Sequence, residues 1–372
     1  MVTTLVSLVA LIIAIFSSSS TVVRYIFPTL TFLESTDGRV NILLLGNAGG
    51  AHAGPYLTDT VMVASINIKT NKVYLISLPR DFWVDKLKVK LNAVYEVGQS
   101  KYAGLNLDKE IVGDILGLPL HYGLRVDFSG FEKAIDQLEG IDIDVERSFD
   151  DYNYPIAGKE EDLCDFREEE KEFSEEEAKR LNISSGKQKV LIAPDGKIAT
   201  DSAEPEKGFE YFKCRYEHIH FDKGLQHING EVALKFVRSR MGTAGEGSDF
   251  ARSKRQQKVI EATRKKVLSL ETVVNPRRIT DLLSTFGKSV EVDIPIDDII
   301  EIYSISKKLQ VGANFVLDDS NLLVRPKAQD FGGAYVLVPK TSDYNLIHEY
   351  VKKVLSGEIN TNEATASARS GN

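Results

Sequence analysis

An excess of positive charge is the first thing this sequence lacks: 46 lysines and arginines stand against 54 acidic residues, a formal net charge of −8. That balance excludes a general nucleic-acid binder, which is basic along a face or stripe. Cysteine is nearly absent, with Cys164 and Cys214 alone in 372 residues. They are either unrelated thiols or one bridge, and a bridge persists where a protein is exported. Nor is this the composition of a disordered chain. At 42% hydrophobic and 27% charged it is ordinary globular material, able to bury a full core as one large domain with appendages.

Charge is missing altogether from residues 2–16 (VTTLVSLVALIIAIF), and extension through the serines to Val23 gives a stretch long enough to cross a bilayer as a helix. A transmembrane anchor is expected over residues 2–24. A cleaved signal peptide is the weaker reading, because residues 17–20 (SSSS) make a poor small-x-small cleavage site. No Lys or Arg precedes the segment while Arg24 follows it, which by the positive-inside rule opposes export; a start further upstream with a short basic tail would reconcile the two. The acidic excess is local. Residues 150–180 hold 13 acidic and 5 basic side chains, a charge of −8 that equals the whole net charge.

Short β-branched runs at 40–45 (VNILLL), 60–66 (TVMVASI) and 72–78 (KVYLISL) predict three strands of a largely buried sheet. Helical spacing follows at 107–116 with Asn106 as its cap, then a strand at 122–126, a helix at 129–138 stopped by Gly140, and a strand at 141–145. Such alternation predicts α/β layers. Residues 150–213 break the rhythm and read as an acidic insertion, helical around 174–181, where Ser174 and Glu177 have capping-box spacing. Residues 224–237 resume the core as a short helix capped by Asn229. Helices are expected at 250–270, 294–309 and 342–355, strands at 314–317 and 334–338, and a disordered tail at 357–372.

The chemistry is densest at residues 230–260 (GEVALKFVRSRMGTAGEGSDFARSKRQQKVI). Arg238 and Arg240 stand two apart, and on a helix that spacing would point them about 200° from each other, so a pair on one side requires extended backbone. A loop with Gly242, Gly245 and Gly247 follows, then Ser248 and Asp249 as N-cap candidates. On the next helix Arg252 and Gln256 lie at i and i+4, hence on one face. Arginine forks beside a helix N-terminus suit a phosphate or pyrophosphate better than a carbohydrate or peptide; a solvated basic helix is the plain alternative. Upstream, residues 46–50 (GNAGG) leave a strand end, where open α/β sheets bind ligands. Asp59 opens the next strand, Arg80 and Asp81 end the third, and Lys90 opens a helix. Taken singly, each is a turn residue or a surface ion pair.

Taken in order, the blocks NILLLG, LTDTVMVASI, ISLPRD, KLNAVYEVG, VDFSGFEKAID, GIDIDV, GLQHINGEVALKFVRSR and SDFARSKRQQ resemble the LytR-CpsA-Psr (LCP) family of cell-wall glycopolymer transferases, within a domain of residues 38–355. The resemblance implies a three-layer α/β/α core with a central mixed sheet, anchored in the cytoplasmic membrane and facing the extracytoplasmic side. It implies transfer of a glycan from a polyprenyl pyrophosphate to a peptidoglycan hydroxyl as a phosphodiester, with Mg²⁺ and without nucleic acid. Carried over residue by residue, Asp59 serves the metal, Arg80, Arg238, Arg240 and Arg252 grip the pyrophosphate, Lys90 and Gln256 complete the phosphate shell, and Asp81 is grouped with Arg80 as catalytic. Many members have a second acidic ligand twelve residues before the strand Asp; Asn47 stands there, a carbonyl donor without charge. His52 is either a further phosphate contact or an exposed loop histidine. Export makes a Cys164–Cys214 disulfide the expected state. A pyrophosphatase acting on the same lipid, and a non-catalytic binder of lipid-linked glycans favoured by Asn47, are the competing readings.

Overall fold

The computed structural model describes residues 33–50, 54–101, 103–199, 210–269 and 284–359. In chain order these form β1 (Arg39–Asn47), β2 (Thr58–Asn67), β3 (Lys72–Leu78), β4 (Trp83–Val84), β5 (Val89–Lys90), α1 (Val94–Ser100), α2 (Leu105–Leu116), β6 (Tyr122–Asp127), α3 (Phe128–Gln137), β7 (Ile141–Val145), β8 (Phe149–Pro155), β9 (Arg167–Phe173), α4 (Glu175–Leu181), β10 (Gly186–Ile192), β11 (Tyr216–Phe221) and β12 (Gly224–Ile228). They continue with α5 (Gly230–Arg238), α6 (Asp249–Ser269), β13 (Val290–Val292), α7 (Ile296–Ser306), β14 (Gln310–Val316), β15 (Leu323–Val324), β16 (Val338–Pro339) and α8 (Asn345–Ser356). The chain divides into two units, one within residues 1–143, 227–234 and 253–372, the other within 144–226 and 235–252.

The first unit is built on a six-stranded sheet of order β13-β6-β1-β2-β3-β14. β2 runs antiparallel to both β1 and β3, β6 is parallel to β1, and β14 is parallel to β3, so the sheet is mixed as expected. Leu43 and Leu45 turn to one face with Val63 and Ile76, packing on Val94 of α1, Ile111 and Ile115 of α2 and Val351 of α8. Val40 and Ile42 turn to the other, with Ile66, Tyr122 and Ile302 and Ile305 of α7. Burial on both faces is why β1 reads as a continuous apolar run and not as an alternation. Each buried Leu or Ile contributes roughly 1.5–3 kcal/mol.

Several boundaries differ from expectation. α2 begins at Leu105, and Gly104, at φ 48°, takes the N-cap position; Asn106 is therefore inside the helix. A side chain at Gly104 would be strained by that positive φ and would stand 3.1 Å from a Glu291 carboxylate oxygen, so glycine fits where asparagine was expected to act. Residues 224–228 are strand, and the helix starts only at Gly230, with Asn229 Oδ1 accepting from Val232 N at 3.0 Å. Of residues 334–338 only Val338 is in a strand. The expected anchor at 2–24, and the tail beyond Ile359, lie outside the described residues. Among the described residues no helix is long and apolar enough to cross a membrane.

One charge in this unit is out of place for a helix core. Asp108 on α2 is 1% exposed, and its Oδ2 has no hydrogen-bond partner. Burial pushes its pKa up from 3.8 to about 8, with the Glu291 carboxylate adding to the shift. The folded chain thus keeps a proton that the unfolded chain loses at about pH 4, so stability falls as pH rises through the window up to about 8. Asp108→Asn removes this titration at nearly constant shape. Its melting temperature is expected to exceed that of the wild type by a margin that widens between pH 5 and pH 8, worth on the order of several kcal/mol at the upper end. A margin independent of pH would show that Asp108 does not carry the buried proton.

The second unit pairs β8 with β11 and β9 with β10, both antiparallel. Phe149, Phe221 and Phe236 meet at ring-centroid distances of 5.1–6.2 Å to form its apolar centre. Residues 150–155, read from charge as the start of an insertion, lie in β8. In α4 the expected box is formed: Glu177 N donates to Ser174 Oγ, and the Glu177 carboxylate accepts from Ser174 N. Cys164 and Cys214 come to disulfide distance with Cα atoms 5.6 Å apart, closing 50 residues of separation. Intact-mass measurement of protein from an oxidising compartment is expected to show alkylation at two thiols only after reduction. Alkylation without reduction would mean that this unit does without the bridge, whose loss from a loop of that size costs about 2–4 kcal/mol.

Candidate functional site

In the first unit one end of the sheet gathers the C-termini of β1, β3 and β6 and the N-terminus of β2. The β1–β2 register is Gly46↔Thr60 and then Asn47↔Thr58, so Asp59 is the extra residue of a bulge. Bulges re-aim a side chain, and Asp59 is left 42% exposed between neighbours committed to the sheet. Arg80, just past β3, donates from Nη1 to Asp59 Oδ1 at 2.5 Å and places Nε 3.5 Å from Asp81 Oδ2. β4 and β5 then fold back as a hairpin, pairing Trp83 with Lys90, and return the Lys90 ammonium to 2.7 Å from Asp81 Oδ1. The result is an alternating, neutral chain of charge, Asp59–Arg80–Asp81–Lys90, partly open to water. Gln256 on α6 donates to Thr60 Oγ1 at 2.8 Å, next in sequence to Asp59, and Gln257 donates to Ser77 Oγ at 3.1 Å.

A second, buried cluster escaped the sequence reading. Arg125 and Asp127, two apart on β6, are each 7% exposed and their charged groups stand 3.6 Å apart. Arg125 also donates to the Lys288 carbonyl at 2.6 Å and approaches Asn47 Oδ1 at 3.5 Å. Asn47 is 1% exposed, and its amide donates to the Pro55 carbonyl. Its side chain is thus committed to protein partners, with Oδ1 turned to a guanidinium. Gly49, at φ 69°, has no room for a side chain, since a Cβ would lie 2.5 Å from that of Asp127. The signal available in the sequence was a pair of charges at i and i+2 in an otherwise apolar strand.

In the second unit Arg238 closes the last turn of α5 and Arg240 lies beyond it. The extended pair expected from their spacing is not formed, because the amphipathic run from Gly230 carries helix through Arg238. Each instead has its own partner. Arg238 Nη1 donates to Tyr154 Oη at 3.1 Å and its guanidinium lies 5.4 Å over that ring. Burial raises the Tyr154 pKa, keeping the hydroxyl protonated. Arg240 Nη2 is 3.6 Å from Asp249 Oδ1, and Arg252 Nη2 is 3.0 Å from the same oxygen. Ser248 caps α6, its Oγ accepting from Ala251 N at 3.1 Å, and Asp249 is the first helical residue. One carboxylate therefore sits where an anion would meet two guanidinia and a helix N-terminus. His52 lies outside the described residues.

The family model described as the LytR_cpsA_psr family matches residues 18–352. The regulatory protein MsrR of Staphylococcus aureus is 26% identical over 270 residues, covering 71% of this chain and 59% of that protein. The polyisoprenyl-teichoic acid–peptidoglycan teichoic acid transferase TagV of Bacillus subtilis is 25% identical over 279 residues, covering 71% of this chain and 54% of that one. The chain thus spans less than two thirds of the length of these relatives. The crystal structure of B. subtilis TagV superposes with a TM-score of 0.51 at 21% identity, over 87% of this chain and 99% of that one, a likeness of fold.

Proposed function

The chain belongs to the LytR_cpsA_psr family, and from that premise we propose that it is a membrane-anchored, extracytoplasmic phosphotransferase. Its donor is a glycan on a polyprenyl pyrophosphate and its acceptor a hydroxyl of peptidoglycan. In this reaction the acceptor oxygen attacks the phosphorus that bears the glycan, the anhydride bond to the lipid-side phosphate breaks, and polyprenyl phosphate leaves as the hydroxyl gives up its proton. The observation that carries the reading is the Arg80 guanidinium, bracketed by Asp59 and Asp81 at a sheet end. Such an end is where α/β folds bind ligands, and an arginine fork matches phosphate oxygens.

Arg80 and Lys90 of the first unit, and Arg238, Arg240 and Arg252 of the second, are the proposed anion-binding groups, with Gln256 as a neutral donor. The name of the B. subtilis relative, a teichoic acid–peptidoglycan transferase, supports donor and acceptor of this class. Of the two metal ligands expected, the exposed Asp59 carboxylate is a hard oxygen ligand that fits Mg²⁺, whereas the buried Asn47 carbonyl would first have to leave the Arg125 guanidinium; a magnesium ion takes its remaining ligands from water and phosphate. When bound, it would neutralise charge on the phosphates under attack. The protein's arginines hold and orient the anhydride. Incubation with a lipid-linked glycan in the presence and absence of peptidoglycan tests the proposal. Glycan should become attached to the wall only when peptidoglycan is supplied, whereas release of free glycan phosphate at equal rates in both would identify a pyrophosphatase.

A further inference from the structure

The segment that carries Arg238 and Arg240 is held by one buried carboxylate, Asp151 of β8, which is 1% exposed. Its Oδ2 accepts from the Ser239 hydroxyl at 2.7 Å, from Arg240 N at 3.2 Å and from Met241 N at 3.1 Å. Its Oδ1 accepts from Asn153 N at 3.0 Å. A carboxylate at this depth is tolerable only with such a set of donors, and hydrogen bonds to an ionised acceptor are about twice as strong as neutral ones. Ser239 N makes the helical bond to the Lys235 carbonyl at 3.1 Å; the next two N–H groups take Asp151 in place of a helix carbonyl. Three consecutive residues therefore converge on one oxygen. That convergence fixes the backbone at position 240, and with it the direction in which the Arg240 side chain leaves. On the same strand Tyr154 holds the Arg238 guanidinium, so β8 constrains one arginine through its backbone and the other through its side chain.

We propose that Asp151 is a positioning residue for Arg240, setting the guanidinium in the direction from which it meets phosphate. The proposal rests on the reading of Arg240 as a phosphate-binding group. A carboxylate needed only for folding would destabilise the unit when altered but leave the affinity of the folded protein unchanged. Asp151→Asn separates the two roles, because the amide keeps the shape and cannot accept from Ser239, Arg240, Met241 and Asn153 together.

The test uses the full chain in detergent with geranylgeranyl pyrophosphate as probe, and measures Kd by calorimetry for wild type, Asp151→Asn, Arg240→Ala and the double variant, well below their melting temperatures. Hydrogen exchange at the amides of Arg240 and Met241 is followed in parallel. Asp151→Asn is expected to weaken binding roughly tenfold, the worth of a hydrogen bond to a charged group, and to lose protection at both amides. In the Arg240→Ala background it should add little further loss, since residues that act as a unit are not additive. Full affinity in folded Asp151→Asn, or losses that multiply independently, would overturn the positioning role while leaving the phosphate reading intact. A wild type that fails to bind the probe overturns the phosphate reading and this inference with it. If Asp151→Asn does not fold, Ser239→Ala removes one donor, keeps the carboxylate and gives the same cycle with a smaller loss.

Discussion

Arg240→Ala is expected to lower transfer by roughly two to three orders of magnitude, the cost of removing one preorganised donor aimed at developing charge. Folding should be spared. The Arg240 side chain is 47% exposed, and its ion pair with the 59% exposed Asp249 is long at 3.6 Å, so little packing or pairing is lost with it. Arg238→Ala should cost as much in activity and somewhat more in stability, because Arg238 also covers the buried Tyr154 ring. Lysine should restore little at either position, since a point charge cannot reproduce a planar fork on phosphate oxygens. Turnover of each purified variant beside its melting temperature checks this. Near-normal turnover in either alanine variant would remove that arginine from the phosphate-binding set.

Arg80→Ala is expected to move two measurements in opposite directions. Arg80 occupies the Asp59 carboxylate at 2.5 Å, so a magnesium ion held there, as proposed, would have to compete with it for that ligand. Removing the guanidinium frees Asp59 and leaves Asp81 with Lys90 at 2.7 Å, so Mg²⁺ binding without lipid should tighten several-fold. Turnover should nevertheless fall by at least about a hundredfold, because the fork proposed to grip the anhydride has gone. Arg80→Lys keeps a charge beside both carboxylates and should fall between. Calorimetric titration with Mg²⁺ and a turnover assay on the same preparations give the two numbers. Parallel loss of both would mean that Arg80 organises the metal ligand and does not compete with the metal for it.

Local signals were the legible ones. The β1, β2 and β3 runs are apolar because both sheet faces are covered, and Ser174 with Glu177 makes its box within four residues. Asp59 and Arg80 were legible for the same reason, since each adjoins a strand that announces itself, while Lys90 was read as opening a helix and lies at the end of the two-residue β5. What sequence could not supply was partnership across long separations. Arg125 finds the Lys288 carbonyl in the turn before β13, and Tyr122 finds Asp298 on α7. Asn47 could be seen as a departure from a carboxylate, but its commitment to Pro55 and Arg125 could not. The Arg238 and Arg240 spacing misled for a physical reason. Two guanidinia at i and i+2 were required to share one ligand and hence one side of extended backbone, whereas the helix propensity and amphipathic pattern from Gly230 prevailed, and Tyr154 and Asp249 serve the arginines separately.

The measurement that bears most directly on the proposed chemistry follows one phosphorus atom. A lipid-linked glycan is prepared with ³²P in the glycan-side phosphate of its pyrophosphate and incubated with the protein, Mg²⁺ and purified peptidoglycan. Label should appear in the peptidoglycan in equal molar amount with the glycan, and unlabelled polyprenyl phosphate should be released. Glycan joined to peptidoglycan while the label stays with the lipid would contradict the account, because the bond broken would then be the glycosyl–oxygen bond and not the anhydride that the arginines are proposed to hold.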